Sequence, residues 1–321
     1  MTPRGASRAL ALLTVGLTLL ACAPAPPGPA GAVPSTPTRA WLPNDAPPRA
    51  AILALHGFND YSNAFADFGA YVAARGVAVH AYDQRGFGAN ADAGYWPGVP
   101  VMVADLRREV ERLKELYPEL PIYVLGESMG AAVVIAAAAR GESPDVAGSI
   151  LAAPAVWGGE QLNPLYRATL WIAVQLVPNM RLTGRGLEVL ASDNIDMLRA
   201  LGEDPLVIKG TRVNAIAGLV GLMDLALPGA AAVPGPLLVL GGARDEIVPP
   251  RAHAAMLERL TAQPCTEVVY PEGWHMLLRD LQRRVVWDDI LAWIDGEPLP
   301  SEFDGPCGID LRSVVASLPR S

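Results

Sequence analysis

The sequence predicts an α/β fold in which a mostly parallel sheet is covered by helices on both faces. Short apolar runs that are typical of buried strands alternate with longer segments of helical periodicity. Such alternation favours parallel strands joined by crossover helices. The alternation breaks between Ala155 and Val233, which indicates a mainly helical cap inserted into the sheet-forming part of the chain.

The strands and helices can be placed in order along the chain. We expect strands near residues 50–55, 77–82, 122–125, 148–153, 236–240 and 266–270. We expect helices near residues 62–75, 101–117, 129–140, 251–261 and 281–294. In the second helix, apolar residues recur at helical spacing with charged residues between them. One face of this helix should therefore pack on the sheet while the other is solvated.

A serine lies in the turn between the third strand and the third helix, in the sequence Gly126-Glu127-Ser128-Met129-Gly130. A G-x-S-x-G motif between a strand and a helix is the nucleophile elbow of an α/β-hydrolase fold. The turn strains the backbone of the serine, and side chains larger than glycine at the flanking positions would clash with the neighbouring strand and helix. The Met129 amide then lies at a helix N-terminus, where it can receive negative charge. We predict Ser128 as the nucleophile and the Met129 amide as one oxyanion-hole donor.

The general base can be selected by elimination among the four histidines, because the triad of this fold runs in the chain order serine, acid, histidine. His56 lies upstream of the serine and is expected to brace its loop. His80 lies inside an apolar strand, as a core histidine would, and His253 falls early on a helix where we expect it to be solvated. His275 follows a late strand, which is where the base belongs. We predict that His275 takes the proton of Ser128.

The acid should follow the strand that precedes the histidine loop. An unbroken apolar run at 237–240 is followed by Gly241-Gly242-Ala243-Arg244-Asp245. Asp245 is placed to hold the tautomer of the imidazole and to stabilise the imidazolium. Glu246 is the alternative acid, and Asp280 is interpreted as a solvated helix charge.

A second oxyanion-hole donor is expected in the loop after an early strand. The sequence His56-Gly57-Phe58-Asn59 follows the strand at 50–55. Glycine at position 57 lets the backbone approach a substrate closely. We predict the amide of Phe58 as the second donor.

These motifs resemble those of one family. They occur in the order and spacing of the monoglyceride lipase and bacterial lysophospholipase group of serine hydrolases, also called serine aminopeptidase-like hydrolases. The resemblance covers roughly residues 41–295. The matching segments are His56-Gly57-Phe58, Tyr82 to Gly88, Gly126 to Gly130, Asp245 to Pro249 and Trp274-His275.

The resemblance implies the same triad of Ser128, Asp245 and His275, with Phe58 and Met129 as backbone donors. It also implies that Asp204-Pro205-Leu206 closes the cap and that the charged Tyr82 to Gly88 loop is structural. Family members open with a β-hairpin before the first buried strand, and only Thr38 to Pro43 could serve here. We therefore expect a shortened outer edge of the sheet.

The cap contains two apolar stretches. Leu165 to Met180 is apolar over most of a helical circumference, and Ile208 to Leu227 is apolar but interrupted by three glycines. Two interpretations of the first stretch remain open. One is a helix buried in the core, and the other is a lid that lines an acyl tunnel and contacts lipid at its outer face; in a cap over a hydrolase site both can hold.

The N-terminus is predicted to be a targeting segment that is excluded from the fold. Arg4 and Arg8 precede an apolar run, Ala9 to Ala21, that is too short to span a bilayer comfortably. The run ends in Leu19-Leu20-Ala21-Cys22, which resembles the lipobox of bacterial lipoproteins, in which the cysteine is lipidated after cleavage. The alternative is an ordinary secretory peptide. Residues 23–48 contain nine prolines and are expected to form an extended tether.

The remaining two cysteines, Cys265 and Cys307, form an even pair in a chain that we expect to be exported. A disulfide between them would pin the C-terminal tail to the loop before the last strand. Two free buried thiols are the alternative, because sequence alone does not establish that the two residues lie close enough.

The predicted organisation follows from these segments. It comprises a lipoprotein-type signal peptide at 1–21, a Pro/Ala-rich tether at 22–48, an α/β-hydrolase core at 49–155 and 233–295, a cap at 156–232 and a C-terminal tail at 296–321.

The predicted activity is hydrolysis of carboxylic esters of single-chain lipids, such as monoacylglycerols or lysophospholipids, through an acyl-enzyme. A small-ester esterase, an aminopeptidase-like hydrolase and a non-catalytic lipid-binding or adhesion protein are the alternatives. The net charge of −8 argues against a nucleic-acid surface, and we expect no metal, no cofactor and no obligate protein partner. The expected location is the bacterial cell envelope, with the protein lipid-anchored to a membrane on its periplasmic or extracellular face.

Overall fold

The computed structural model describes residues 36–158, 162–184, 189–260 and 264–308. The predicted signal peptide, Cys22 and most of the predicted tether lie outside the described residues. The ten strands of the described ranges are β1 (Thr38–Trp41), β2 (Ala50–Leu55), β3 (Val77–Tyr82), β4 (Ile122–Glu127), β5 (Gly148–Ala152), β6 (Arg181–Leu182), β7 (Thr211–Arg212), β8 (Leu237–Gly242), β9 (Cys265–Tyr270) and β10 (Asp304–Pro306).

Eight of these strands form one sheet in the order β1-β3-β2-β4-β5-β8-β9-β10. The six central strands are parallel, and their residues are almost all buried. The two edge strands, β1 and β10, run antiparallel to their neighbours. The continuous apolar runs in the sequence therefore correspond to strands that are covered on both faces.

The outer edge of the sheet is a single strand. Thr38–Trp41 pairs with β3 in the register Thr38 to Tyr82 through Trp41 to Val79. A shortened edge was expected here, and the structure has one strand in place of a hairpin. The same strand corrects the tether boundary at residue 48, because a paired segment at 38–41 belongs to the sheet and not to an extended tether.

Helices cover both faces of the sheet. They are α1 (Ala66–Ala73), α2 (Val99–Leu116), α3 (Met129–Ala139), α4 (Pro164–Leu176), α5 (Ile195–Glu203), α6 (Val213–Gly229), α7 (Pro250–Leu257) and α8 (Arg283–Asp295). Buried side chains of α2, α3, α6 and α7 pack together on one face. Buried side chains of α1 and α8 pack on the other. The five core helices start and end within a few residues of their predicted positions, except that the first opens with a 3₁₀ turn at Ser62–Phe65.

The cap lies between β5 and β8 and consists of α4, the short β6–β7 pair, α5 and α6. Helix α6 packs on α3, and Leu222 and Ala226 are fully buried in the contact. By composition alone the segment Val213–Ala232 is long and apolar enough to cross a membrane, and in the structure part of it packs in the same buried cluster as α3. Helix α4 differs, because none of its residues, all of which the structure describes, is buried. The interpretation of α4 as a buried core helix is therefore wrong.

The C-terminal tail is tied to the sheet at two points. Asp304–Pro306 pairs antiparallel with Thr266–Val268 of β9. Cys307 and Cys265 form a disulfide bond, with their Cα atoms 5.5 Å apart. Cys265 is the first residue of β9, so the bridge lies at the end of that strand opposite to the loop that carries His275.

Candidate active site

Ser128 is held in a strained turn between β4 and α3. Its backbone has φ 53° and ψ −110°, a left-handed φ that is rare for a residue with a side chain. The flanking glycines allow this geometry. A Cβ at Gly126 would collide with the backbone of Ala131, and a Cβ at Gly130 would collide with the Leu55 carbonyl of β2. The elbow therefore requires glycine at both positions, because any side chain there would clash with the neighbouring backbone.

Ser128, His275 and Asp245 are brought together by the carboxyl ends of three strands. The Oγ of Ser128 lies 2.9 Å from Nε2 of His275, and Nδ1 of His275 lies 2.9 Å from Oδ2 of Asp245. The carboxylate accepts a hydrogen bond from the Nδ1–H group, which leaves Nε2 free to accept the proton of the serine hydroxyl. This is the hydrogen-bond chain of a serine nucleophile, its base and the acid that orients the base.

The electrostatic environment keeps the acid ionised and makes the base stronger. Burial acts to raise the pKa of Asp245, but the charge and hydrogen bond of His275 lower it, and the net result is below the ordinary value. Burial acts to lower the pKa of His275, whereas the Asp245 carboxylate and its hydrogen bond raise it, with smaller contributions from Glu127 and Asp280. The net pKa of His275 is raised above its ordinary value.

The loop 57–60 lies against the elbow. A Cβ built at Gly57 would be 3.5 Å from the Cβ of Ser128, so the backbone of this loop passes directly beside the nucleophile. Phe58 follows Gly57, and Met129 is the first residue of α3. The structure thus places both predicted donor segments next to Ser128. A helix N-terminus and a neighbouring loop amide together can stabilise a tetrahedral oxyanion.

The other histidines have structural roles. His56 is fully buried; its Nδ1 contacts the Gly57 carbonyl and its Nε2 accepts a hydrogen bond from the Gln84 amide, so it braces the loop as predicted. His80 is also buried and contacts the Tyr117 hydroxyl. The prediction that His253 is solvated is wrong. It is buried, and its Nε2 lies 3.1 Å from Glu267, which is buried as well.

Glu246 lies outside the hydrogen-bond chain, and the interpretation of Asp280 as a solvated charge is wrong. Glu246 is exposed and accepts a hydrogen bond from the Leu190 amide, so the structure places Asp245 and not Glu246 on the histidine. Asp280 is fully buried rather than solvated. Its carboxylate accepts hydrogen bonds from the Ser192 hydroxyl at 2.6 Å and from the Trp274 amide at 2.7 Å. It therefore links the cap to the residue before His275.

A buried arginine was not identified from the sequence. Arg279 is 8% exposed and makes ion pairs with Asp60 at 2.8 Å and with Glu127 at 3.2 Å. A sequence signal was present, because Arg279 and Asp280 interrupt an apolar segment immediately after the histidine loop. Two adjacent charges in such a position indicate either a helix start or a buried pair, and only the fold distinguishes them.

The cap is joined to the loop between β2 and α1. The Asp204 carboxylate accepts a hydrogen bond from the Tyr61 hydroxyl at 2.7 Å, and the Ile208 amide donates to the Asn59 carbonyl at 2.9 Å. The Asp204-Pro205-Leu206 motif thus holds the cap against the loop after β2, in agreement with its expected role. Within the described ranges, no group of three or more His, Cys, Asp or Glu side chains could hold a metal ion.

Comparison with known proteins gives one family match. The family model described as serine aminopeptidase, S33, matches residues 46–282, which include all three residues of the hydrogen-bond chain.

Curated relatives match over most of their own length. The chain is 28% identical to the monoacylglycerol lipase of Mycolicibacterium smegmatis over 262 residues, covering 79% of this chain and 90% of the relative. It is 26% identical to human monoglyceride lipase over 265 residues, covering 80% of this chain and 85% of the relative.

Solved structures of two lipases share the fold. The monoacylglycerol lipase of Paleococcus ferrophilus has a TM-score of 0.67 at 20% identity, covering 82% of this chain and 99% of that chain. A soluble variant of the Saccharomyces cerevisiae monoglyceride lipase, solved with a substrate analogue, has a TM-score of 0.68 at 18% identity, covering 85% of this chain and 98% of that chain. Together with the sheet order, these likenesses confirm the predicted α/β-hydrolase fold.

Proposed function

The chain belongs to the serine aminopeptidase S33 family and is a serine ester hydrolase, and from this premise we propose that it hydrolyses monoacylglycerols and related single-chain lipid esters. The hydrogen bonds that join Ser128, His275 and Asp245 are the main observation in support of ester hydrolysis by a serine nucleophile. The substrate class is supported by the relatives named monoacylglycerol or monoglyceride lipase and by the exposed apolar cap.

The reaction follows from the geometry. The Ser128 Oγ attacks the ester carbonyl while its proton passes to Nε2 of His275, and the amides of Phe58 and Met129 stabilise the oxyanion. The imidazolium gives its proton to the departing alcohol, which leaves an acyl group on Ser128. A water molecule then attacks the acyl-enzyme while His275 takes its proton. The fatty acid is released when that proton returns to the serine.

Helix α4 supports a lipid substrate because it exposes large apolar side chains. Leu165, Tyr166, Trp171 and Leu176 are each at least 67% exposed. Apolar side chains scattered singly over a surface are ordinary, whereas several on one helix mark an interaction site. A cap helix with such a surface can rest on a lipid aggregate and so bring the protein to its single-chain lipid substrates.

The substrate proposal is tested with a series of monoacylglycerols of increasing acyl length. Each methylene that enters an apolar pocket contributes about 0.8 kcal/mol, so kcat/KM should rise with chain length and then level off. Triacylglycerols and peptide amides should be much poorer substrates. Equal efficiency on acetyl and decanoyl esters would contradict the lipid proposal and favour a small-ester esterase, while preferred cleavage of peptide amides would favour an aminopeptidase-like hydrolase.

The contribution of α4 is tested with a matched pair of variants. Trp171→Ser should reduce hydrolysis of long-chain monoacylglycerols presented in vesicles more than hydrolysis of a soluble short-chain ester. Leu116→Ser is the control, because Leu116 is an exposed apolar residue at the end of α2, outside the cap. If both variants lose vesicle activity equally, α4 has no special role in contact with lipid.

We also propose that the protein is exported and anchored to a membrane by lipid on Cys22, on the periplasmic or extracellular face of the envelope. Support comes from the lipobox-like Leu19-Leu20-Ala21-Cys22 and from the Cys265–Cys307 disulfide, which is typical of oxidising compartments. Mass spectrometry of membrane-extracted protein should find acylated Cys22 as the first residue, and Cys22→Ala should release soluble protein. An unmodified N-terminus at another position would leave an ordinary secretory signal.

A further inference from the structure

Arg279 lies where three loops of the active site meet. Its Nη1 is 2.8 Å from Oδ2 of Asp60, and its Nη2 donates to Oε2 of Glu127 at 3.2 Å. Asp60 follows Phe58 by two residues, Glu127 immediately precedes Ser128, and Arg279 follows His275 by four. One guanidinium therefore joins the oxyanion-hole loop, the elbow and the histidine loop.

The contribution of this cluster to the stability of the fold does not explain why its charges are buried. Asp60, Glu127 and Arg279 are all buried. Removing such charges from water is costly, and a buried ion pair adds little net stability compared with apolar side chains of the same size. The arginine stays charged, because the two carboxylates outweigh the effect of burial on its pKa and raise it. The guanidinium is held between two buried carboxylates from different segments of the chain, which is the geometry that positioning requires.

On the oxyanion-hole side, Asp60 ends a tight turn. The Asp60 amide donates to the Gly57 carbonyl at 3.4 Å, and Asn59 within the turn has φ 65°. The predicted donor, the Phe58 amide, belongs to the same turn. One oxygen of the Asp60 carboxylate accepts the Tyr61 amide at 2.8 Å while the other contacts Arg279. The orientation of the turn is thereby tied to the guanidinium.

On the elbow side, Glu127 is the last residue of β4 and Met129 is the first of α3. Ser128 between them has an unfavourable φ, so the elbow persists only if its neighbours hold it. The Ser128 amide donates to the Ala152 carbonyl at 2.9 Å, and Arg279 holds the preceding side chain. Arg279 thus contacts the side chains next to both oxyanion-hole segments.

We propose that Arg279 is a positioning residue that fixes the Phe58 and Met129 amides relative to each other, so that both point at the oxyanion of the tetrahedral intermediate. Arg279 acts through Asp60 and Glu127 rather than by contact with substrate. The inference rests on the serine-hydrolase reaction proposed above. It adds a residue whose loss should lower kcat rather than substrate binding.

The test compares Arg279→Met and Arg279→Lys with a matched control, Arg108→Met. Arg108 also contacts two buried carboxylates, Asp105 and Glu109, but on α2 and outside the active site. Removing one oxyanion-hole donor typically costs 10²- to 10³-fold in kcat, and a displaced pair should cost roughly as much. We expect this loss for Arg279→Met with KM changed only a few-fold, partial recovery with lysine, and an unchanged kcat for Arg108→Met.

A second readout does not depend on the substrate. The rate at which a fluorophosphonate labels Ser128 also relies on the oxyanion hole, so it should fall in parallel with kcat. The substrate proposal can then fail while the role of Arg279 is still measured. If Arg279→Met does not fold, Asp60→Asn and Glu127→Gln weaken one side of the cluster at a time and should each slow labelling. Labelling and kcat that match the wild type in folded variants would overturn the inference.

Discussion

The reactivity of His275 depends on the charges that surround it. The ring is buried beside Asp245, and Glu127 and Asp280 add negative charge nearby. These carboxylates outweigh the effect of burial, so the pKa of His275 is raised. A base with a raised pKa holds a transferred proton more strongly, but it is already protonated, and therefore inactive, in mildly acidic solution.

The pH dependence of hydrolysis should reflect this balance. In the wild type, kcat/KM should fall as the pH decreases through an apparent pKa above 6.5, the ordinary value for histidine. In Asp245→Asn the main raising influence is lost, so the acid limb should move to lower pH while the maximal rate falls by about 10⁴-fold. Stopped assays from pH 4.5 to 9 on a short-chain ester measure both. An acid limb at or below pH 6 in the wild type would contradict this description of His275.

The hydrogen-bonded residues could be predicted from the sequence, whereas the charges around them could not. Ser128, Asp245 and His275 each follow an apolar run that is recognisable as a strand, and their order is characteristic of the fold. Asp280 and His253 were expected to be solvated. Each makes a hydrogen bond with a residue on another element, since Ser192 lies 88 residues from Asp280 and Glu267 lies 14 residues from His253. The sequence around Asp280 or His253 does not reveal such partners.

A short segment of the cap, residues 190–194, connects the loops that carry the acid and the base. The Leu190 amide donates to Glu246, which neighbours Asp245, and the Ala191 carbonyl accepts from the Met276 amide, next to His275. The Ser192 hydroxyl donates to Asp280, whose other oxygen accepts the Trp274 amide. The geometry of the catalytic loops is thus coupled to the cap through this segment.

Asp280, which belongs to this connection, should make the free energy of unfolding depend on pH. Burial raises the pKa of Asp280 to about 7, although hydrogen bonds from Ser192 and Trp274 oppose the shift. The unfolded chain has the ordinary value near 4, so between pH 4 and 7 the folded state binds more protons and its stability falls as the pH rises. In Asp280→Asn this component should disappear.

Urea unfolding of the wild type and Asp280→Asn at pH 4.5 and 7.5 measures the effect. The wild type should lose more unfolding free energy than the variant between the two pH values. Asp196→Asn is a control, because Asp196 is an exposed aspartate on α5. Identical pH dependence in the wild type and Asp280→Asn would show that the carboxyl titrates near its ordinary value.

Strands with a strong apolar pattern could be predicted from the sequence. A strand that forms only because it pairs with a neighbouring strand could not. The six parallel strands were expected within a few residues of their observed bounds. Strand β10 was not expected, because Asp304-Gly305-Pro306 has no apolar pattern and is extended only through its pairing with β9. The apolar pattern of α4 does not determine its exposure, since a helix that is apolar all round can be covered by protein or by lipid.

In the part of the molecule that the structure describes, different features lie at the two ends of one sheet. The carboxyl ends of β4, β8 and β9 lead into the loops with Ser128, Asp245 and His275, and the cap lies there as well. The disulfide and the C-terminal strand lie at the start of β9. The loop that carries His275 and the attachment of the C-terminal tail therefore lie at opposite ends of β9.

Loss of the disulfide should affect stability and not catalysis. The bridge joins residues 42 positions apart, and closing a loop of this length typically stabilises a fold by about 2–4 kcal/mol. Cys307→Ser should therefore lower Tm by several degrees while kcat/KM at 25 °C stays within about twofold of the wild type. Calorimetry and kinetics on the same preparation test both statements. A large loss of activity at unchanged Tm would mean that the two ends of the sheet are coupled.

The central claim is that Ser128 is the nucleophile of an ester hydrolase, and active-site labelling tests it most directly. A fluorophosphonate probe should modify the wild-type protein at Ser128 alone, as located by peptide mass spectrometry. Ser128→Ala should remain folded, should not be labelled, and should lose on the order of a millionfold in kcat. Labelling at another residue, or hydrolysis by Ser128→Ala near the wild-type rate, would contradict the claim and show that the nucleophile is another residue.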